Sequence, residues 1–309
     1  MTTRRELLST LIRAAALSSS GALLSACAAR PVSETGGSLA QRAVIIELEK
    51  LERASGGRLG VAALNLTTGE SLDYRGNERF AMCSTFKWLL AAMILKRVDR
   101  GELSLDDTRP IAAESLVHYS PITEKHAGGV MTLAALCDAA VTLSDNTAAN
   151  ELLGVLGGPP NFTADVRGFG DRVTRLDRME PELNENNRGD ERDTTSPVAM
   201  LGLMKTVLFG NVLEPDSVLQ LRRWMIDART GKRRLRAGFD PSWQVGNKTG
   251  TSLNDQSNDV AFAISLSQAM RVPGPLLITS YANIPEPMSA GSDAVHSSIA
   301  SEVVRALAF

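Results

Sequence analysis

The sequence predicts a mixed α/β (α+β) fold: one sheet built from both chain ends, flanked by helices, with an all-helical domain inserted in the middle. Three observations predict it. Strand-like runs occur near each end, at 58–76 and 242–284. A helical run outside each group, at 39–54 and 292–309, supplies a cover for the sheet. Between the two groups, from Ser84 to about Gly210, apolar residues recur at helical spacing. Strands separated by a long helical insertion pair most economically as one sheet. The boundaries expected are 39–78 with 230–309 for the α/β domain and 79–229 for the helical domain.

Each element has its own signal. In 39–54, Val44, Leu48 and Leu51 fall on one helical face beside Ile45. "RLGVAALNL" and "SLDYRG" read as two strands joined by the turn "TTGE". "TFKWLLAAMILKRVDRG" reads as a helix ending at Gly101, and "TLAALCDAAVTL" as one capped by Thr132. "DNTAANELLGVLGG" is a third, stopped by Gly157-Gly158-Pro159. "TSPVAMLGLMKTVLFG" and "DSVLQLRRWMIDA" continue the helical set. The period then changes to that of strands in "SWQVGNKTGTS", "NDVAFAISLS" and "GPLLITSYANI", before the last helix.

Composition excludes some partners. The 309 residues are 43% hydrophobic and 22% charged, with a formal charge of −2, so neither nucleic acid nor an anionic membrane is expected as partner. The basic run "TGKRRLRAG" lacks interleaved aromatics and reads as a solvated face for Lys232 and Arg233. His118, His126 and His296 form no metal-binding spacing and no CxxC is present, so the chain reads as metal-free and cofactor-free.

Three short motifs carry chemistry. Ser84 and Lys87 lie three apart and share a helical face, where a desolvated lysine can influence a serine hydroxyl. Ser144-Asp145-Asn146 sits at a helix junction, and Lys248-Thr249-Gly250 on a strand. Each alone has a plainer reading, as a helix cap or as a strand ended by glycine. Their order and structural contexts together form the set used by serine β-lactamases and penicillin-binding proteins. A fourth stretch, "RMEPELNENNRGDERD" at 178–193, has almost nothing to bury and reads either as a solvated loop or as one holding a carboxylate.

The chain resembles class A serine β-lactamases from about Leu39 onward, through "CSTFK", "YSPITEKH", "SDNTAANELL", "EPELN", "RDTTSP" and "NKTGT". The resemblance implies a five-stranded antiparallel sheet and an active site between the two domains. It implies that residues 178–193 form the family's Ω-loop, with Glu180 the hydrolytic glutamate, Asn184 its water-holding partner, and Arg178 and Asp193 the ion pair at the neck. It also implies a cis bond before Pro181, which proline permits.

The remaining roles come from the same resemblance. Ser84 is the nucleophile, and either Lys87 or Glu180 is the acylation base. Ser144 passes a proton to the lactam nitrogen. Lys248, Thr249, Gly250 and Thr251 line the substrate edge, Asn146 binds the amide side chain, and Tyr119 forms a wall. The backbone N–H groups of Ser84 and Thr251 form the oxyanion hole. The arginine that many members carry after the third motif is replaced by Ser257, and Arg234 stands where part of the family supplies it instead. Family members with a helix–helix disulfide have a cysteine where Ala91 stands, so Cys83 and Cys137 are expected as free thiols.

Residues 1–26 read as an export signal of the twin-arginine type through Arg4-Arg5. "LLSAC" resembles a lipobox that would make Cys27 a lipid-anchored first residue, with plain cleavage as the alternative; 27–38 reads as a linker. These features imply a periplasmic protein, tethered to a membrane by Cys27 where the lipobox is used, and a monomer by default. A penicillin-binding carboxypeptidase shares the three motifs but not the Glu180 loop. A β-lactam sensor would need a membrane-spanning partner segment, and after residue 30 no apolar run has that length.

Overall fold

A computed structural model describes residues 39–267 and 274–308. The chain runs α1 (Leu39–Ser55), β1 (Arg58–Asn65), β2 (Ser71–Tyr74), β3 (Phe80–Ala81) and a 3-10 turn (Cys83–Phe86) that leads straight into α2 (Lys87–Asp99). Next come β4 (Thr108–Pro110), β5 (Val130–Thr132), α3 (Leu133–Thr142), α4 (Asn146–Leu156) and α5 (Pro159–Gly168). After the loop at 178–193 follow β6 (Thr194–Thr195), α6 (Pro197–Phe209) and α7 (Pro215–Ile226). The last elements are β7 (Trp243–Thr251), β8 (Gln256–Ser265), β9 (Leu276–Asn283) and α8 (Ala290–Leu307).

The main sheet has the order β2-β1-β9-β8-β7 and is antiparallel at every pairing, so the two chain ends meet at β1 and β9. Both of its faces are covered, which is why β8 and β9 read as continuous apolar runs rather than alternating ones. Alternation survives in the destination of each side chain. Val260, Phe262, Leu277 and Tyr281 enter the helical core, while Ala261, Ala263, Leu276 and Ile278 enter a second core beneath α1 and α8. α2 is the axis of the helical core. Residues 87–95 are all buried, including Trp88 at 0% exposure. Removing an aromatic of that kind costs about 3–5 kcal/mol.

Local chemistry sets the ends of the central helices. The Thr132 side chain accepts from Ala135 N at 3.2 Å, as expected of an N-cap. Gly157, at φ +87°, ends α4 in the left-handed region. The stop expected at Gly157-Gly158-Pro159 is also a start: Pro159 occupies the first turn of α5, where its missing N–H costs nothing. α8 begins at Ala290, two residues before the expected Ser292, because Ser289 caps it by accepting from Ser292 N.

Two short strand pairs interrupt the otherwise helical middle. β4 pairs with β5, and β3 pairs with β6 through Phe80↔Thr195 and Ala81↔Thr194. The second pair matters for the site. It fastens the end of the 178–193 loop beside the turn that carries Ser84, and Met82 N donates to Asp193 O at 2.9 Å.

Candidate active site

Ser84 is half-buried in the 3-10 turn, one residue after Cys83, which holds φ at +44°. Non-glycine residues rarely adopt that region, and such strain gathers at functional sites. Tyr119 (φ +63°), Ser144 (+62°) and Asp193 (+58°) share it. The turn packs against β7 so closely that a Cβ on Gly250 would stand 2.5 Å from Met82 O. Gly250 therefore lets the strand carrying Lys248, Thr249 and Thr251 lie beside the serine.

The sequence-expected residues converge here. Glu180, 2% exposed, presents Oε1 to Ser84 Oγ at 3.3 Å and to Lys87 Nζ at 2.9 Å. Its Oε2 accepts from Asn184 Nδ2 at 2.5 Å. Asn184 Oδ1 is buried without a partner in the protein. Lys87 Nζ also donates to Ser144 O at 2.8 Å and to Asn146 Oδ1 at 2.5 Å, so all three of its N–H bonds have acceptors. Burial pulls the Lys87 pKa down, and the Glu180 carboxylate opposes that pull.

On the opposite wall, Lys248 Nζ donates to Ser144 Oγ at 2.9 Å and to Thr249 O at 2.8 Å. Burial, with the Lys87 charge nearby, holds the Lys248 pKa well below the usual lysine value. Thr249 Oγ1 donates to Thr230 Oγ1 at 2.9 Å. Asn146 Nδ2 donates to His118 O at 2.8 Å, and its backbone N–H to Tyr119 O at 3.0 Å. Tyr119 itself is 51% exposed at the rim.

The loop at 178–193 is tied at its neck by Arg178 Nε to Asp193 Oδ2 at 2.6 Å. Asp193 Oδ1 accepts from the backbone of Asp177 and Arg178 as well. The Glu180–Pro181 bond is cis.

Arg234 lies behind β7. Its Nε donates to Asp293 Oδ1 at 2.9 Å, Nη1 to Asn258 O at 2.8 Å, and Nη2 to Thr251 Oγ1 at 2.9 Å. Its charge thus reaches the strand edge through the Thr251 hydroxyl. Ser257 pairs with Thr251 across the strands, but its hydroxyl is taken up by His296 Nε2 and Ser292 Oγ. Cys83 and Cys137 are buried free thiols. Cys27 lies outside the described residues. Among the described residues, no group of His, Cys, Asp and Glu side chains could hold a metal ion, and no helix is long and apolar enough to cross a membrane.

Some supporting residues had no role assigned from sequence. Asp145 is fully buried and accepts from Thr123 Oγ1 and from the N–H groups of Ile122, Thr123 and Ala148, welding the Tyr119 segment to the start of α4. Asn150 holds the Glu180 backbone, and Gln256 bonds to the loop at Asn186 O. Asp145 had a signal in its motif, whereas the other two become visible only with the fold.

Comparison with known proteins agrees with this geometry. The profile of the "Beta-lactamase enzyme family" matches residues 43–267. β-Lactamase L2 of Stenotrophomonas maltophilia is 47% identical over 68% of this chain and 70% of its own. β-Lactamase FAR-1 of Nocardia farcinica is 40% identical over 84% of this chain and 82% of its own. Among solved structures, an ancestral class A β-lactamase superposes with a TM-score of 0.81 at 50% identity, covering 85% of this chain and 99% of that one. A β-lactamase from Xanthomonas campestris superposes at 0.82 with 42% identity, over 87% of this chain and 98% of that one. A profile match over most of the chain, and relatives similar along most of their own length, establish that the chain belongs to the class A β-lactamase family.

Proposed function

We propose that the chain hydrolyses β-lactams, and so confers resistance to them, by attack of Ser84 Oγ on the ring carbonyl and hydrolysis of the resulting ester by a water activated by Glu180. β-Lactam hydrolysis follows from the family. The observation that carries the residue roles is the Glu180 carboxylate, 3.3 Å from Ser84 Oγ and held by Lys87 and Asn184. A carboxylate so fixed can accept the serine proton and later the proton of an attacking water. The unpartnered Asn184 Oδ1 supports a water site beside it. Lys87, paired with Glu180 at 2.9 Å, shares the acylation-base role with it, whereas deacylation needs Glu180 beside the water.

The other roles follow the geometry of the walls. Ser144 gives its own hydroxyl proton to the lactam nitrogen as the C–N bond breaks and takes a replacement from the Lys248 ammonium bonded to it, while the base gives up the Ser84 proton before deacylation. Lys248, Thr249 and Thr251 bind the substrate carboxylate. Arg234 reinforces that site by donating to Thr251 Oγ1, which leaves the threonine proton to point at the substrate. Asn146 and Tyr119 hold the acylamino side chain. The N–H groups of Ser84 and Thr251 stabilise the oxyanion.

The test is turnover of a chromogenic cephalosporin by the purified protein and by Ser84→Ala. Rapid turnover lost in the variant supports the reading. A wild-type protein that binds the drug covalently without turnover would make it penicillin-binding instead.

The same reading includes export through Arg4-Arg5, lipidation at Cys27, periplasmic action and a monomeric state. Mass spectrometry of the mature N-terminus tests the lipid, and sedimentation tests the monomer. An unmodified chain beginning beyond Cys27 would overturn lipidation and leave export standing.

A further inference from the structure

Most ties of the 178–193 loop run to its own neck, to the segment 82–87 or to α4. Arg178 pairs with Asp193, Glu180 is held by Asn150 of α4, and its carboxylate meets Lys87 of α2. The catalytic wall on β7 belongs to the sheet. Gln256, the first residue of β8 and 3% exposed, bridges the two.

Its Nε2 donates to Asn186 O at 3.1 Å. Asn186 is itself buried and fixes the return limb of the loop, with Nδ2 donating to Arg192 O at 2.7 Å and to Asp190 O at 3.3 Å. At the other end of the same amide, Gln256 Oε1 accepts from Ser252 Oγ. Ser252 follows Thr251 directly, and its N–H donates to Gln256 O at 3.1 Å. The Ser252 hydroxyl also receives Asn254 N at 3.1 Å and Gln256 N at 3.3 Å. One side chain therefore spans from the residue after Thr251 to a point two residues after Asn184. Both of its amide atoms are occupied, and the whole path is buried.

From this arrangement we infer that Gln256 is a positioning residue for the hydrolytic half-reaction: it fixes the spacing between the Thr251 edge of β7 and the loop that carries Glu180 and Asn184. The inference rests on the roles proposed above for Ser84 and Glu180. Acylation can proceed through Lys87, Ser144 and Lys248, which the helical side and β7 already hold in register whatever the loop does. Deacylation adds a requirement. The ester carbonyl is held at the β7 edge while the water is held by the loop, so the distance between loop and strand enters the reaction coordinate. A misplacement of about 1 Å in such a pairing costs on the order of a hundredfold.

The test compares Gln256→Met, which keeps length and loses both bonds, with Gln256→Glu, which keeps an acceptor for Ser252 and sets an oxygen against Asn186 O. Single-turnover acylation of Ser84 by a penicillin and decay of the acyl-enzyme are measured separately by quenched-flow mass spectrometry. For both variants acylation stays within about threefold of wild type, deacylation falls about tenfold or more, and the acyl-enzyme accumulates in the steady state. Thermal unfolding is measured alongside. A merely structural role would slow both steps together in proportion to lost stability, and that result overturns the inference. Unchanged deacylation in either folded variant overturns it as well. If Gln256→Met does not fold, Gln256→Glu and Ser252→Ala, each of which breaks one end of the bridge, give the same reading. Failure of wild-type Ser84 to take any adduct would instead sink the roles of Ser84 and Glu180, whatever Gln256 does.

Discussion

Asn150 holds Glu180 by both polar atoms of its backbone: its Oδ1 accepts from Glu180 N at 2.9 Å and its Nδ2 donates to Glu180 O at 2.8 Å. Substituting Asn150→Ala leaves both groups without their partner, at a cost of roughly 1–3 kcal/mol each where water cannot replace it. The variant is expected to melt earlier and to lose deacylation more than acylation. Stopped-flow turnover with thermal melts checks this, and an unchanged melt with normal turnover refutes it.

Glu180→Ala should still react with a penicillin and then stall with the drug attached to Ser84. General-base help is worth about 10² to 10⁴ in rate, so the adduct should persist long enough for intact-mass detection. Ser84→Ala should carry no adduct. Near-normal turnover by Glu180→Ala would show that another group activates the water.

Arg234→Ala removes the charge behind Thr251 along with bonds to Asp293 and Asn258 O. A charge-assisted hydrogen bond contributes about 1.5–3 kcal/mol, so kcat/KM for a penicillin should fall about ten- to a hundredfold, mainly through KM. Stability should fall too, because Asp293 loses an ion-pair partner. Unchanged kinetics with lowered stability would make Arg234 a purely structural residue.

Asp259 gives the protein a pH-dependent weakness. Burial raises its carboxyl to about 6, against hydrogen bonds from Asn247 and Leu235 that favour the charged form. A carboxyl raised in the folded state holds its proton more tightly there. The stability it adds is present in full below about pH 4 and lost as pH rises through about 6, worth about 3 kcal/mol. Buried His296 pulls the other way, since burial and the Arg234 charge hold it well below the usual histidine value and the unfolded chain takes its proton first on acidification. Comparing wild type with Asp259→Asn isolates the first effect. The difference in melting temperature should move in the variant's favour between about pH 4 and 7 and then level off. A difference independent of pH would refute it.

Cys83 and Cys137 should be silent toward thiol reagents in the native protein, because both are buried and burial pushes both thiols up. Both should label after denaturation without reductant. Labelling of neither would mean they are bonded to each other.

The site was legible wherever local sequence fixes local geometry. Ser84 and Lys87 share a face because they lie three positions apart, and Lys248 to Thr251 lie on a strand because the period around them is that of a strand. The sheet was legible because the apolar runs at both ends had to be covered on both faces. What escaped depends on distance in space. β3 and β6 are two residues each, too short to leave a pattern, and exist only because the loop closes on its own neck. α5 was hidden because a proline that ends one helix also begins the next. Asn150 and Gln256 are ordinary residues of a helix and a strand until the loop arrives beside them.

The pairing of β1 with β9 also governs how the protein must assemble. Arg58 and Asn283, joined side chain to side chain and paired in register, are 225 residues apart in the chain. Contacts of that span form slowly, since the ordering of the whole intervening loop comes before its reward. The N-terminal hairpin has no sheet to join until β9 has left the ribosome. A chain cut anywhere before Leu276 would lose the partner of β1 and the strand that joins β8 to it. Premature termination should therefore yield no partly working enzyme, only an aggregation-prone fragment with its sheet edges open.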